Sequence, residues 1–194
     1  SFHNSLYCMH AVLGFVKHHG SGAFKHFISY FHFFTLSGLS KSRNIVFLFD
    51  TGAVCPVIGT NNFFTKEKSP DNIKKKELFE KTIQEELKIQ NILPRSNSLK
   101  AANNQEVKTY PCICRDVSIS STGKMDFFFD ISFDEISIPL LGSSFIDDCS
   151  YSHSIGGNLN ITGICEKAGS GFYDGMNILD FNTILDRFEA DSVS

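Results

Sequence analysis

Ile45-Val46-Phe47-Leu48-Phe49 is an unbroken apolar run that ends directly on Asp50, with Thr51, Gly52 and Ala53 behind it. Continuous apolar character, without alternation, is what a strand covered on both faces requires. Such a strand delivers the Asp50 carboxylate at the end of a rigid, partly dehydrated element. Gly52 has no Cβ, so the backbone can turn there and another segment can approach closely. Thr51 adds a hydroxyl that both donates and accepts. A chain with this feature must place a strand in its interior and an acidic side chain at that strand's mouth.

The remaining sequence is strand-rich around one charged helix. Phe127, Phe129, Ile131 and Phe133 alternate with Phe128, Asp130, Ser132 and Asp134, a period-two pattern with one wholly apolar face. Leu159 and Ile161 alternate with Asn158, Asn160 and Thr162, which predicts a further strand. Ser121-Thr122-Gly123 supplies a turn ahead of the Phe-rich strand. Ser69-Pro70-Asp71 reads as a helix start, with Ser69 placed to cap and Pro70 at the first helical position. Phe79, Ile83 and Leu87 then recur on one face. Lys74, Lys75, Lys76, Glu80, Glu85 and Glu86 form its wet side, and Pro94 ends the helix or lies just past it. The His- and Phe-rich lead-in, 1–42, is broken by Gly20-Ser21-Gly22 and reads as two short helical pieces, around Leu13 to Val16 and Phe27 to Phe34. In the tail, 166–194, Ile178, Phe181, Leu185 and Phe188 are spaced for a short amphipathic helix that packs against the domain or frays.

Composition narrows the function classes. The chain has 194 residues and a formal net charge of −3, with 20 Phe and no Trp. That length suits one domain with appendages. The charge gives no electrostatic reason to expect nucleic-acid binding. No stretch reaches the roughly 18 uninterrupted apolar residues of a spanning helix. Lys17, His18, His19, Lys25, His26 and His32 interrupt the N-terminal region, so a membrane partner is not expected. Of Cys8, Cys55, Cys112, Cys114, Cys149 and Cys165, only Cys112 and Cys114 are close in sequence. Their C-x-C spacing suits one face of a strand better than a zinc knuckle. Buried free thiols are the expectation, with no metal and no cofactor. His153, between Ser152 and Ser154, lacks a Gly-x-Ser-x-Gly elbow. Gly20-Ser21-Gly22 and Gly169-Ser170-Gly171 lack the Gly-Lys-Ser/Thr of a phosphate loop.

Asp50-Thr51-Gly52-Ala53, behind its apolar run, resembles the active-site loop of retropepsin-like aspartic proteases, the retroviral and retrotransposon type of the peptidase A2 family. A second family element is two apolar residues followed by Gly, and Ile138-Pro139-Leu140-Leu141-Gly142-Ser143-Ser144-Phe145-Ile146 looks like it. The resemblance implies that this Gly packs beside the catalytic loop and that a short helix follows. A third element is the flap hairpin: Ala101-Ala102-Asn103-Asn104-Gln105-Glu106-Val107 is similar to flap sequences of retrotransposon members, with Asn104 where Gly is usual. Asn tolerates positive φ, so a turn survives the change. Val54 stands where an acidic residue is frequent in the family, and Ser143 where Arg is frequent.

The resemblance spans residues 43–165. It implies a mainly β fold, a closed acid-protease barrel with one or two helices, flanked by the non-family segments 1–42 and 166–194. It implies an endopeptidase acting on a peptide or polyprotein. Catalytic Asp50 would be supported by Thr51, Gly52, Ala53, Leu141 and Gly142, under a flap built from Ala102, Asn103, Asn104 and Gln105. Two carboxylates sharing one proton do this chemistry, one as base toward water and one as acid toward the carbonyl oxygen. None of Asp126, Asp130, Asp134, Asp147 and Asp148 is followed by Thr/Ser-Gly, so the second carboxylate is expected from a second copy in a twofold homodimer. The rival expectation is an inactive module that keeps the fold for dimerisation or peptide binding.

Overall fold

The computed structural model describes residues 33–40, 43–50, 52–95, 99–100, 106–119, 123–153 and 159–193. Of the helical pieces expected in the lead-in, the one around Leu13 to Val16 lies outside this set, and so does Phe27 to Phe34 except for Phe33 and Phe34, which are strand and not helix. Strand β1 (Phe33–Ser37) pairs antiparallel with β2 (Ile45–Leu48) and, through Leu36 and Ser37, with β6 (Tyr110–Ile119). A strand from the lead-in segment is therefore hydrogen-bonded inside the sheet. Strand β6 pairs antiparallel with β7 (Gly123–Ser132), and β7 pairs in parallel with β3 (Val57–Gly59). The order is β2-β1-β6-β7-β3, and β10 (Leu179–Asp180) adds to β6 in parallel. Two short ladders stand apart from this sheet. One joins β4 (Leu99–Lys100) to β5 (Glu106–Val107), the other β8 (Cys149–His153) to β9 (Leu159–Ile164).

The closed, mainly β barrel expected from the resemblance does not form. The fold is mixed α/β, with a six-stranded mixed sheet that stays open. Among the described residues, no ladder joins the end strands β2 and β3; Leu140 bridges them, pairing with Leu48 on one side and Val57 on the other. Pro139 has no N–H to extend that contact into a ladder, and Gly142 turns the chain into α2 (Ser143–Ile146).

Helix α1 (Pro70–Ile89) starts as expected. The Ser69 hydroxyl accepts the Asn72 N–H at 3.1 Å, with Pro70 at the first position. It stops before Pro94, because Asn91 adopts φ 56° and the Ile92 N–H closes back on the Leu87 carbonyl at 2.8 Å. Phe79, Ile83 and Leu87 are buried. Glu86 departs from the expected wet face. It is also buried, taking the Arg187 guanidinium and the Gln90 amide, both at 2.8 Å. Arg187 belongs to α3 (Phe181–Val193), the tail helix, whose Phe181, Ile184 and Leu185 enter the core.

The phenylalanines form a connected seam. Phe47 meets Phe127 edge-on at 5.4 Å, Phe129 meets Phe181 at 5.2 Å, and Phe63 meets Phe79 at 5.0 Å. Such pairs add roughly 0.5–1.5 kcal/mol each beyond area burial, so the seam joins sheet, α1 and α3 into one core. Cys112 and Cys114 lie on β6 and are both fully buried, as the C-x-C spacing predicts. Cys55 is buried too, but Cys149 is half-buried and Cys165, which follows β9, is exposed, both unlike the buried-thiol expectation; Cys8 lies outside the described residues.

Candidate active site

Strand β2 is buried at Ile45, Phe47 and Leu48, but it is an end strand of the sheet with Val46 exposed, not covered on both faces as expected, and it carries the chain out to a half-buried Asp50. The loop turns at once: the Gly52 N–H donates to Asp50 Oδ1 at 2.9 Å, and the Ala53 N–H to the Asp50 carbonyl at 3.2 Å. Burial raises the Asp50 carboxyl above its ordinary value, and the Gly52 and Ala53 N–H groups pull it partly back. Asp50 therefore holds a proton to higher pH than a free carboxylate does, which suits a shared-proton role.

The Leu140-Leu141-Gly142 segment threads between the two arms of this loop. The Leu48 N–H donates to the Pro139 carbonyl at 2.7 Å, and the Leu141 N–H returns to Leu48 at 2.9 Å. On the other arm, Leu140 and Val57 exchange both backbone bonds at 3.0 Å. Ser143 and Ser144, at the start of α2, donate to the Ala53 and Val54 carbonyls at 2.6 and 3.0 Å. Gly142 has φ +80°, and a Cβ there would lie 2.3 Å from the carbonyl carbon of Cys55. Only glycine allows so close a passage of the two backbones. Upstream, Asn61 and Asn62 both donate to the Ile136 carbonyl, at 2.8 and 2.7 Å, which fixes the entry of the threading segment.

The structure thus brings Asp50, Gly52 and Ala53 together with Leu141 and Gly142, which lie far from them in sequence. Thr51 and the flap residues Ala102, Asn103, Asn104 and Gln105 lie outside the described residues. The strands flanking 101–105 pair antiparallel, Leu99 with Val107 and Lys100 with Glu106. Val107 packs into a small apolar cluster with Leu48, Ala53, Cys55, Val57 and Leu140, directly under the loop.

Two features escaped the sequence. Tyr151 of β8 meets Phe49 edge-on at 5.3 Å, so the β8–β9 hairpin flanks the residue before Asp50. Asp130, expected on the wet face of β7, is fully buried. It takes Arg95 in a fork, Nε to Oδ2 at 2.7 Å and Nη2 to Oδ1 at 2.8 Å. The Thr109 and Tyr173 hydroxyls donate to the same carboxylate at 2.7 and 2.8 Å. Burial alone would lower the Arg95 value, but the bonds and charge of Asp130 outweigh it and raise it. Burial, reinforced by the Asp130 charge, pushes the Cys55 thiol well up, so Cys55 is a packing group and not a nucleophile. Its partners come from remote segments, and no local pattern announces them.

Comparisons with protein-family models, with curated proteins and with solved structures give no match. Among the described residues, no three His, Cys, Asp or Glu side chains group to hold a metal ion, and no helix is long and apolar enough to cross a membrane.

Proposed function

We propose that this chain is an aspartic endopeptidase of the retropepsin-like type, acting as a homodimer with one Asp50 from each copy. The observation that carries the reading is the threading of Leu140-Leu141-Gly142 between the arms of the Asp50 loop. It joins the two most specific sequence elements in one backbone network, with the expected glycine contact and the short helix after it. A loop held at both arms presents its carboxylate in one direction, which catalysis by positioned groups requires. Two such carboxylates about 3 Å apart cannot both ionise, so one acts as acid while the other activates water. The titration belongs to the pair. The substrate is an extended peptide or polyprotein segment, held under the flaps. The dyad itself activates the water, so no cofactor or metal enters the scheme.

A second reading, a non-catalytic binding module, draws on a different observation. A concavity of about 980 Å³ lies beside the start of β2, lined by Arg43, Val46, Ile73 and Ile138 among others, and does not include Asp50. Asp50→Asn separates the two readings. The protease reading expects wild-type cleavage of a peptide library at mildly acid pH and none from the variant, with dimerisation retained. Equal cleavage by both proteins would remove Asp50 from the chemistry. No cleavage by a confirmed wild-type dimer would favour the binding module.

A further inference from the structure

The Arg95–Asp130 pair makes no contact with Asp50, yet every group that satisfies it belongs to a segment bordering the reactive loop. The Asp130 N–H donates to the Pro56 carbonyl at 2.8 Å, and Val57 pairs with Asp130 in the β3–β7 ladder. The exit of the loop is thus tied to the residue that carries the buried carboxylate. Thr109 lies two residues past β5, and the Arg95 N–H also donates to its carbonyl, at 2.9 Å. Tyr173 comes from the 3-10 turn Ser170–Tyr173; just before that turn, Gly169 passes against the backbone of Ser144 and Phe145 in α2. The guanidinium lies over the Phe172 ring at 4.4 Å and the Tyr173 ring at 5.1 Å. Phe172 in turn packs on the cluster beneath the loop.

We infer that Arg95 and Asp130 form a positioning clamp that fixes the exit of the Asp50 loop against the root of the β4–β5 hairpin and the turn under α2. The energetics favour this over a purely stabilising role. A buried ion pair gains little over well-packed apolar residues of similar volume, because desolvation offsets its attraction. Directional bonds, however, hold geometry that apolar packing leaves adjustable. Each Asp130 oxygen accepts two such bonds, so the carboxylate cannot rotate without breaking several together. A planar guanidinium is needed for the fork, which lysine cannot reproduce. Arg95 and Asp130 are positioning residues, since neither touches a reacting atom.

The catalytic part of this inference rests on the protease reading, while its loop part does not, and the test keeps them apart. Full-length wild type, the apolar exchange Arg95→Met/Asp130→Leu, and Tyr173→Phe are compared by urea unfolding. Amide hydrogen exchange over Gly52–Cys55 and separate kcat and KM values for peptide cleavage complete the comparison. The clamp expects cooperative unfolding in the double variant and loop exchange at least about tenfold faster. It expects kcat to fall roughly tenfold to a hundredfold, with KM changed much less, as a loop misplaced by about 1 Å implies. Tyr173→Phe moves the same readouts by a smaller, several-fold step and carries the test alone if the double variant does not fold. Loop exchange and kcat at wild-type values, with only the unfolding midpoint altered, overturn the clamp. Faster loop exchange in the variants of a wild type that cleaves nothing upholds the clamp and sinks the protease reading.

Discussion

Replacing Gly142 with alanine perturbs the junction between the threading segment and the Asp50 loop at a single point. The new Cβ would sit 2.3 Å from the Cys55 carbonyl carbon, 2.5 Å from its oxygen and 2.7 Å from its Cα. These are backbone atoms, so no side chain can swing aside, and one of the two segments must move by about 1 Å to restore contact distance. Overpacking of this kind costs roughly 1–3 kcal/mol. The φ of +80° at Gly142 adds about 1–2 kcal/mol for any residue with a Cβ. The expected loss is therefore about 2–5 kcal/mol, or roughly 4–20 °C in Tm for a chain of this size. Gly175→Ala is the control, because Gly175 has φ +77° and a methyl group added there would meet nothing within 4 Å. It isolates the conformational cost from the clash. Urea titrations followed by far-ultraviolet circular dichroism, at one fixed protein concentration, give both values. Cleavage by Gly142→Ala should fall by up to about a hundredfold, because the loop itself is displaced. If Gly142→Ala loses no more stability than Gly175→Ala and cleaves normally, the close backbone crossing is not what holds Asp50 in place.

Two other outcomes follow from the same structure. Because burial raises the folded-state value of Asp50, folding penalises its ionised form. That penalty is absent below the ordinary carboxylate value, grows as pH rises through the window up to the raised value, and is complete above it. Asp50→Asn should accordingly be more stable than wild type at neutral pH, with the gap closing in acid, as read by Tm across pH. Ser69→Ala removes the hydroxyl that accepts the Asn72 N–H and should cost about 1 kcal/mol in a urea titration, with cleavage unchanged.

The legible parts of the fold were those set by local rules. Ser69 and Pro70 fixed the start of α1, the Phe127–Phe129–Ile131 alternation fixed β7, and the spacing of Phe181, Leu185 and Phe188 anticipated the tail helix, whereas Ile178 falls outside it, ahead of β10. Within the site, Asp50, Gly52 and Ala53 were legible as a loop, and Leu141-Gly142 as its packing partner. Asp130 was misplaced because alternation assigns a face but cannot tell what covers it; Arg95 and Tyr173 lie 35 and 43 residues away in sequence. Glu86 was misplaced for a similar reason, since its partner Arg187 is 101 residues distant. The mainly β barrel expectation failed twice: the chain is 32% helix and 32% strand, and the end strands β2 and β3 are bridged by Leu140 instead of closing into a ladder.

Calorimetric titration of the wild-type chain with a statine-type transition-state analogue, at mildly acid pH, tests the shared dyad most directly. Such analogues bind the completed catalytic pair far more tightly than substrate. A dyad shared across the homodimer takes one inhibitor for every two chains, and Asp50→Asn binds none. One inhibitor per chain, or undiminished binding to the variant, would contradict it.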